Sequence, residues 1–303
     1  MELPTGARPA GGHVVSGTTA EWHVIYLDVK ILARVRRVMQ VEQRRVPDDA
    51  NVLPVFDSHM HIFDPAYPMT ANAGFLPDMF TVEDYLTRVG ALPVRLAGGA
   101  VVSASTQGFD QFYLLAALER LGPGWVGVTQ VPATVTDEEL VALDATGVRA
   151  VRFNLHRGGR GVLDDLAATA RRVHTTVGWH VELYVDARDL DDLADLVASL
   201  PAASIDHLGL SAAGLTTLVK LAEAGVRVKA SGFGRTDFNI GQALRRLWRA
   251  NPDALLFGTD LPCPRAPRPF ADSDLDVVLD TLGQEAARRV LHDNAIAFYR
   301  PHA

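Results

Sequence analysis

The sequence predicts an α/β chain closed into a (β/α)8 TIM barrel, a single domain preceded by an irregular N-terminal extension. Three observations carry this. From residue 52 onward, short apolar runs alternate eight times with amphipathic helical patterns, the signature of parallel strands joined by right-handed crossovers. Eight such units in roughly 250 residues match the size of a closed barrel. An open doubly wound sheet, the other arrangement of such units, carries a glycine-rich phosphate turn after its first strand; here that turn reads His59-Met60-His61.

Taken in order, the strand runs fall at 53–58, 97–104, 125–131, 148–154, 180–185, 203–207, 226–230 and 254–258. Each is short, apolar and bounded by turn residues, as a buried strand should be. Between them lie helical patterns at Thr81 to Val89, Asp110 to Leu121, Asp137 to Ala145, Leu163 to Val177, Ala187 to Leu200, Ala212 to Ala224 and Gly241 to Arg249. Ser273 to Leu282 and Glu285 to Tyr299 read as closing helices. Thr81 with Asp84 three residues on is close to a capping box. Gly122, Gly147, Gly178 and Gly225 stand where helices should stop.

The chain divides into an extension, 1–51, and the barrel, 52–303. Met1 to Thr19 is rich in Gly, Pro, Ala and Thr without periodicity, and reads as disordered. An arginine-rich segment from Lys30 to Arg45 follows, interrupted by Glu42. The extension reads as a peripheral arm unrelated to chemistry.

Composition narrows the function. With 303 residues, 48% of them hydrophobic, and a net charge of −7, neither nucleic acid nor an anionic membrane is an expected partner. Cys263 is the only cysteine, so no internal disulfide forms, and a reducing cytoplasm is the expected location. No apolar run reaches the roughly 18 residues of a membrane span.

In a barrel, reactive groups sit at the C-terminal ends of the strands. His59 and His61, two residues apart, leave the first strand on one face. His207 ends the sixth strand and Asp260 the eighth. Imidazoles facing a carboxylate across one mouth can take a proton from water, or His59, His61 and Asp260 can ligate one divalent metal. Arginines form a second pattern: Arg152, Arg157, Arg160, Arg235, Arg265 and Arg268 fall at strand ends or in the loops after them. Arg152 lies inside an apolar strand, where an unpaired charge is costly, so it must meet an acid or an anionic ligand. Guanidinium–carboxylate pairing makes such residues a clamp for an organic acid.

Phe56-Asp57-Ser58-His59-Met60-His61-Ile62-Phe63-Asp64, Asp206-His207-Leu208-Gly209 and Phe257-Gly258-Thr259-Asp260-Leu261-Pro262 resemble the amidohydrolase superfamily, in particular its "amidohydrolase 2" branch of TIM-barrel hydrolases. Asp293-Asn294-Ala295-Ile296-Ala297-Phe298-Tyr299 is similar to that branch's closing helix. Within the branch, the serine-rich tip of strand two, Val151-Arg152-Phe153-Asn154, Tyr184, and Ser231 to Arg235 resemble the 2-pyrone-4,6-dicarboxylate lactonases and related lactone hydrolases.

The resemblance implies a hydrolase opening a lactone, or a related ester or amide, of a small carboxylated substrate, a chemistry of aromatic catabolism. Asp260 would be the general base; His59, His61 and His207 would polarise the scissile carbonyl. Arg152, Arg157 and Arg235, with Ser105 and Tyr184, would grip the carboxylates. Metal-loaded members end strand five in a histidine ligand, whereas Tyr184 takes that place here. The resemblance therefore leaves two cofactor states open: none required, or one divalent metal (Zn or Mn) on His59, His61 and Asp260. A metal-dependent decarboxylase of an aromatic acid is the alternative activity, and an idle barrel binding a small organic acid the alternative without one. A homodimer is the assembly the resemblance allows.

Overall fold

A computed structural model describes residues 52–302 apart from 159–162 and 164, with the backbone alone for 157 and 158. The predicted extension over 1–51 lies outside the described residues. The eight strands are β1 (Pro54–Met60), β2 (Arg95–Val102), β3 (Trp125–Thr129), β4 (Val148–Asn154), β5 (His180–Tyr184), β6 (Ala203–Ile205), β7 (Arg227–Ala230) and β8 (Leu255–Phe257). They form one parallel sheet in the order β1 to β8.

The sheet comes round on itself at β1 and β8. There the Asp260 amide donates to the His59 carbonyl at 2.7 Å, and the His61 amide to that of Leu261 at 2.8 Å. Gly258 permits the approach: a Cβ added to it would lie 2.8 Å from the His59 amide nitrogen and 2.9 Å from the His59 Cβ. Asp57 ties the seam from below. Its buried carboxylate accepts from the Thr259 amide at 2.9 Å, the Thr259 hydroxyl at 2.6 Å and the Tyr85 hydroxyl at 2.9 Å.

The helices follow the predicted order and pack their apolar sides on the outside of the sheet. Val82–Gly90 begins at a complete Thr81–Asp84 capping box and buries Val82, Tyr85 and Val89. Leu166–Val177 stops at Gly178, whose φ of 71° needs the left-handed region that glycine tolerates. Three predicted helices are subdivided, among them Ala212 to Ala224, where a tighter turn at Ala212–Gly214 precedes Leu215–Glu223. Ala187–Asp189 is a tighter turn ahead of Leu190–Ala198, and a wide turn at Arg289–Asp293 separates Gln284–Arg288 from Asn294–Tyr299.

Inside the barrel, Phe56, Val102, Val128, Ala150 and Leu256 meet Ala295 and Tyr299 of the last helix, which plug the N-terminal end. His180, at the start of β5, lies against Phe298 and Tyr299 there. The interior above this plug is polar.

Candidate active site

A bulge aims the two histidines of β1. Between Asp57 and Met60 the register on β2 slips, three residues of β1 passing two of β2 (Asp57↔Gly99, Met60↔Val101). An extra residue switches the side-chain parity of a strand. Phe56 therefore faces the interior core, and His59 and His61 also face inward above it. Just after β6, Asp206 enters the barrel and the backbone then turns, with φ of 52° at His207. Asp260 follows β8 with φ of 62°. Non-glycine residues in that region are strained, and such strain collects at functional sites.

These turns bring the sequence-predicted groups together. Asp260 Oδ1 lies 3.6 Å from His61 Nε2, 3.9 Å from His59 Nε2 and 3.9 Å from His207 Nε2. Its other oxygen, Oδ2, accepts from Arg235 Nε at 2.6 Å. Asp260 and the three imidazoles around its Oδ1 are all buried. Asp260 Oδ1 and His59 Nε2 make no hydrogen bond among the described residues, although a buried polar atom is normally satisfied. The space between them suits a ligand atom.

The tautomer of His61 is fixed by its neighbour. Its Nδ1 lies 2.8 Å from the Val102 carbonyl oxygen, which can only accept, so Nδ1 carries a proton and Nε2 is the nitrogen that faces Asp260. His207 is anchored through Nδ1 to the Ser231 hydroxyl at 3.0 Å. Gly232, with φ of 58°, makes room for that ring: a Cβ there would stand 2.7 Å from His207 Nδ1.

Burial sets the charge state. It pushes His59 down to about 3 and holds His207 well below the ordinary imidazole range, so both rings are neutral. For Asp260, burial alone would raise the carboxyl; His207 and Arg235, with His61 and His59, outweigh it and hold the group below its usual range. Asp260 is therefore an ionised carboxylate.

His59, His61 and Asp260 present three ligand atoms within 4.8 Å of one another. The set fits one divalent cation with an open position for substrate. His61 Nε2 and Asp260 Oδ1 are already turned toward that point, while His59 would join through Nε2 only with its own proton on Nδ1.

The pocket above is lined by His61, Phe63, Phe75, Ser105, Arg152, Asn154, Tyr184, His207, Arg235 and Arg265, and encloses about 490 Å³ including its open mouth. Arg152 is committed inside it. Nη2 and Nε donate to Asp206 Oδ2 at 2.9 and 3.2 Å, Nη1 donates to the Ser103 carbonyl at 2.9 Å, and the guanidinium lies over the Tyr184 ring at 5.3 Å. The acidic partner that its burial required is Asp206. The Ser105 hydroxyl accepts from Asn72 Nδ2 at 2.6 Å. The side chain of Arg157 lies outside the described residues. A loop over residues 64–80 roofs one side of the mouth, held by the Thr70 amide on the Thr106 carbonyl at 2.7 Å and by Arg265 over the Phe75 ring at 4.2 Å.

Sequence reasoning placed Arg265 among the arginines of the mouth but gave no role to Asp206, Lys229 or Glu182, which line the barrel interior. Lys229 is fully buried on β7, between Val228 and Ala230, and is paired with Glu182 of β5. A lone charge inside an apolar strand was the signal available for Glu182 and Lys229.

Comparison with known proteins places this geometry. The model of the "Amidohydrolase" family matches residues 56–300. A 2-pyrone-4,6-dicarboxylate hydrolase of Comamonas testosteroni is 27% identical over 284 residues, covering 81% of this chain and 90% of that protein. A D-galactarolactone isomerase of Agrobacterium fabrum is 25% identical over 276 residues, covering 84% and 94%. Among solved structures, a probable 2-pyrone-4,6-dicarboxylic acid hydrolase of Acinetobacter baumannii with citric acid bound superimposes with a TM-score of 0.70 at 21% identity, over 81% of this chain and 99% of that one. That likeness shows the fold. Among the described residues no helix is long and apolar enough to cross a membrane.

Proposed function

The chain belongs to the amidohydrolase family, and within it we propose a hydrolase that opens the lactone ring of a small carboxylated substrate with water. One observation carries this reading: Asp260 Oδ1 faces three imidazole nitrogens at 3.6 to 3.9 Å, at the foot of a pocket lined by arginines. Two relatives named for a pyrone hydrolase and a lactone isomerase support the lactone as the substrate class.

The step follows from the donors and acceptors in place. With His61 neutral, water between its Nε2 and Asp260 Oδ1 donates one hydrogen to each. Its oxygen lone pair is thereby aimed at the lactone carbonyl carbon. As the C–O bond forms, Asp260 takes the proton. The carbonyl π pair moves to oxygen, for which the Nε2 atoms of His59 and His207, each 3.9 Å from Asp260 Oδ1, would serve as N–H donors. The tetrahedral carbon then expels the ring oxygen, which recovers the proton from Asp260. One water is consumed and one carboxylic acid and one hydroxyl are formed.

Arg235 and Arg265 reach the pocket from the last two strands' loops, and Tyr184 and Ser105 from β5 and β2. They would bind the substrate's carboxylate, with Arg152 supplying field from its Asp206 pair. A Zn or Mn ion on His59, His61 and Asp260 would, when bound, polarise the carbonyl as a Lewis acid.

The test is a panel of small carboxylated lactones assayed for ring opening, with a chelator and with added Zn or Mn. Turnover of at least one lactone supports the reading. Turnover of aromatic acids with release of carbon dioxide, and of no lactone, favours the metal-dependent decarboxylase instead.

A further inference from the structure

The tip of β2 holds a buried hydroxyl that the hydrolytic step does not use. Ser105–Gln107 follows β2 as a tight turn, and Thr106 at its centre is 4% exposed. Thr106 lines the pocket beside Ser105. Its neighbours in the turn are committed. The Ser105 hydroxyl accepts from Asn72 Nδ2 at 2.6 Å. Gln107 Oε1 accepts from the Ala104 amide at 2.9 Å, and Gln107 Nε2 donates to the Ile62 carbonyl at 2.8 Å. The Thr106 carbonyl accepts from the Thr70 amide at 2.7 Å, which ties the turn to the roof. Thr106 Oγ1, by contrast, makes no hydrogen bond among the described residues.

A buried threonine in a helical turn commonly returns its hydroxyl to the carbonyl three or four residues back. Here those carbonyls belong to Ser103 and Val102, and the site already engages both. Arg152 Nη1 donates to the Ser103 carbonyl at 2.9 Å, and His61 Nδ1 lies 2.8 Å from that of Val102. A buried polar atom left over in this way costs the fold, and its partner must come from outside the chain. We infer that Thr106 is a substrate-binding residue whose hydroxyl bonds an uncharged oxygen of the lactone, either a hydroxyl substituent or the ring oxygen. A neutral group that both donates and accepts suits such an oxygen, whereas a carboxylate is better met by the guanidinium groups of Arg235 and Arg265. The inference rests on the proposed hydrolysis for naming the ligand a lactone.

Such a role gives the hydroxyl opposite effects on stability and on binding. Without a ligand it is a desolvated polar group and weakens the fold; with one it contributes affinity. Valine has the shape of threonine and no hydroxyl, so it removes the weakness and the affinity together. A threonine whose hydroxyl merely held the turn would behave differently: its loss would lower stability and leave the kinetics alone.

The experiment compares the full chain with Thr106→Val and Thr106→Ser on two probes, γ-butyrolactone-γ-carboxylate and its β-hydroxy derivative. Thr106→Val should lower kcat/KM about tenfold, the size of one lost hydrogen bond between neutral groups. A loss confined to the hydroxylated probe assigns the contact to its hydroxyl, and an equal loss on both assigns it to the ring oxygen. Thr106→Ser keeps the hydroxyl and should stay within about threefold of wild type. Urea unfolding of ligand-free Thr106→Val should give a midpoint above that of wild type. A midpoint below wild type, or kcat/KM unchanged on both probes, overturns the inference. So does a Thr106→Ser that loses as much as the valine variant. Should no lactone be turned over, the proposed activity fails, and calorimetric titration of the same two probes decides the role of Thr106. Binding about tenfold weaker in Thr106→Val then supports it, while equal binding, or none, overturns it.

Discussion

Arg235 Nε stands 2.6 Å from Asp260 Oδ2, so this carboxylate and a guanidinium that lines the pocket are joined before substrate arrives. A second bond, Arg235 Nη2 to the Pro264 carbonyl at 2.8 Å, fixes the plane of the fork. The pair explains how a buried carboxylate stays ionised among neutral histidines, and it links substrate binding to the strength of the base.

Arg235→Met should therefore do two things. Loss of a charged hydrogen-bond donor to the substrate carboxylate should raise KM roughly ten- to a hundredfold. Loss of the cation beside Asp260 should let its carboxyl rise from its depressed value, so the acid limb of kcat/KM moves to higher pH. A pH–rate profile of wild type and variant checks both. An unchanged acid limb would remove Arg235 from the control of Asp260.

Acid should destabilise the fold well before the carboxylates titrate. His59, His180 and His207 are all lowered from 6.5, chiefly by burial. The unfolded chain then binds more protons than the fold below pH 6.5, and stability is lost as pH falls toward about 3 for His59. Each such ring costs up to about 1.4 kcal/mol per pH unit once below its unfolded value. Urea midpoints measured between neutral pH and mild acid should decline steadily; a flat series would show that the rings charge freely in the fold.

Tyr299→Phe should cost stability without touching substrate affinity. The hydroxyl is buried, donates to Glu182 Oε1 at 2.6 Å and lies 3.1 Å from the Ser58 carbonyl. A hydrogen bond to a charged group contributes about 1.5–3 kcal/mol. Urea unfolding should show a loss of that order, with KM unchanged.

Gly258→Ala probes the seam. The added methyl would press on the His59 backbone, which cannot yield as a flexible side-chain end would. A displacement of His59 on the scale of one ångström should lower kcat about 10²-fold. Steady-state kinetics, with circular dichroism to confirm folding, would check this; an unaffected kcat would mean that the β1–β8 contact is looser than its hydrogen bonds imply.

Much of this architecture is legible in the residues. Eight strand–helix units, the Thr81 cap and the stop at Gly178 follow from local propensity, and each forms as read. His59, His61, His207 and Asp260 meet because all four leave strands at one end of a closed ring. The polar interior was harder. Both faces of a barrel strand are buried, one against helices and one inside, so alternation cannot say which way Glu182 or Lys229 points. The bulge at Asp57–Met60 left no mark either, since the slip depends on how β1 pairs with β2 and not on the identity of Ser58. Arg152 was readable as a charge needing a partner, but Asp206 is distant in sequence and only the ring closure brings it within 2.9 Å.

The most direct measurement is the steady-state hydrolysis of a small carboxylated lactone by wild type and Asp260→Asn. The account predicts turnover by wild type and a fall in kcat of about 10²- to 10⁴-fold in the variant, the range of a lost general base, with KM little changed. A variant that keeps its kcat and only raises KM would contradict it.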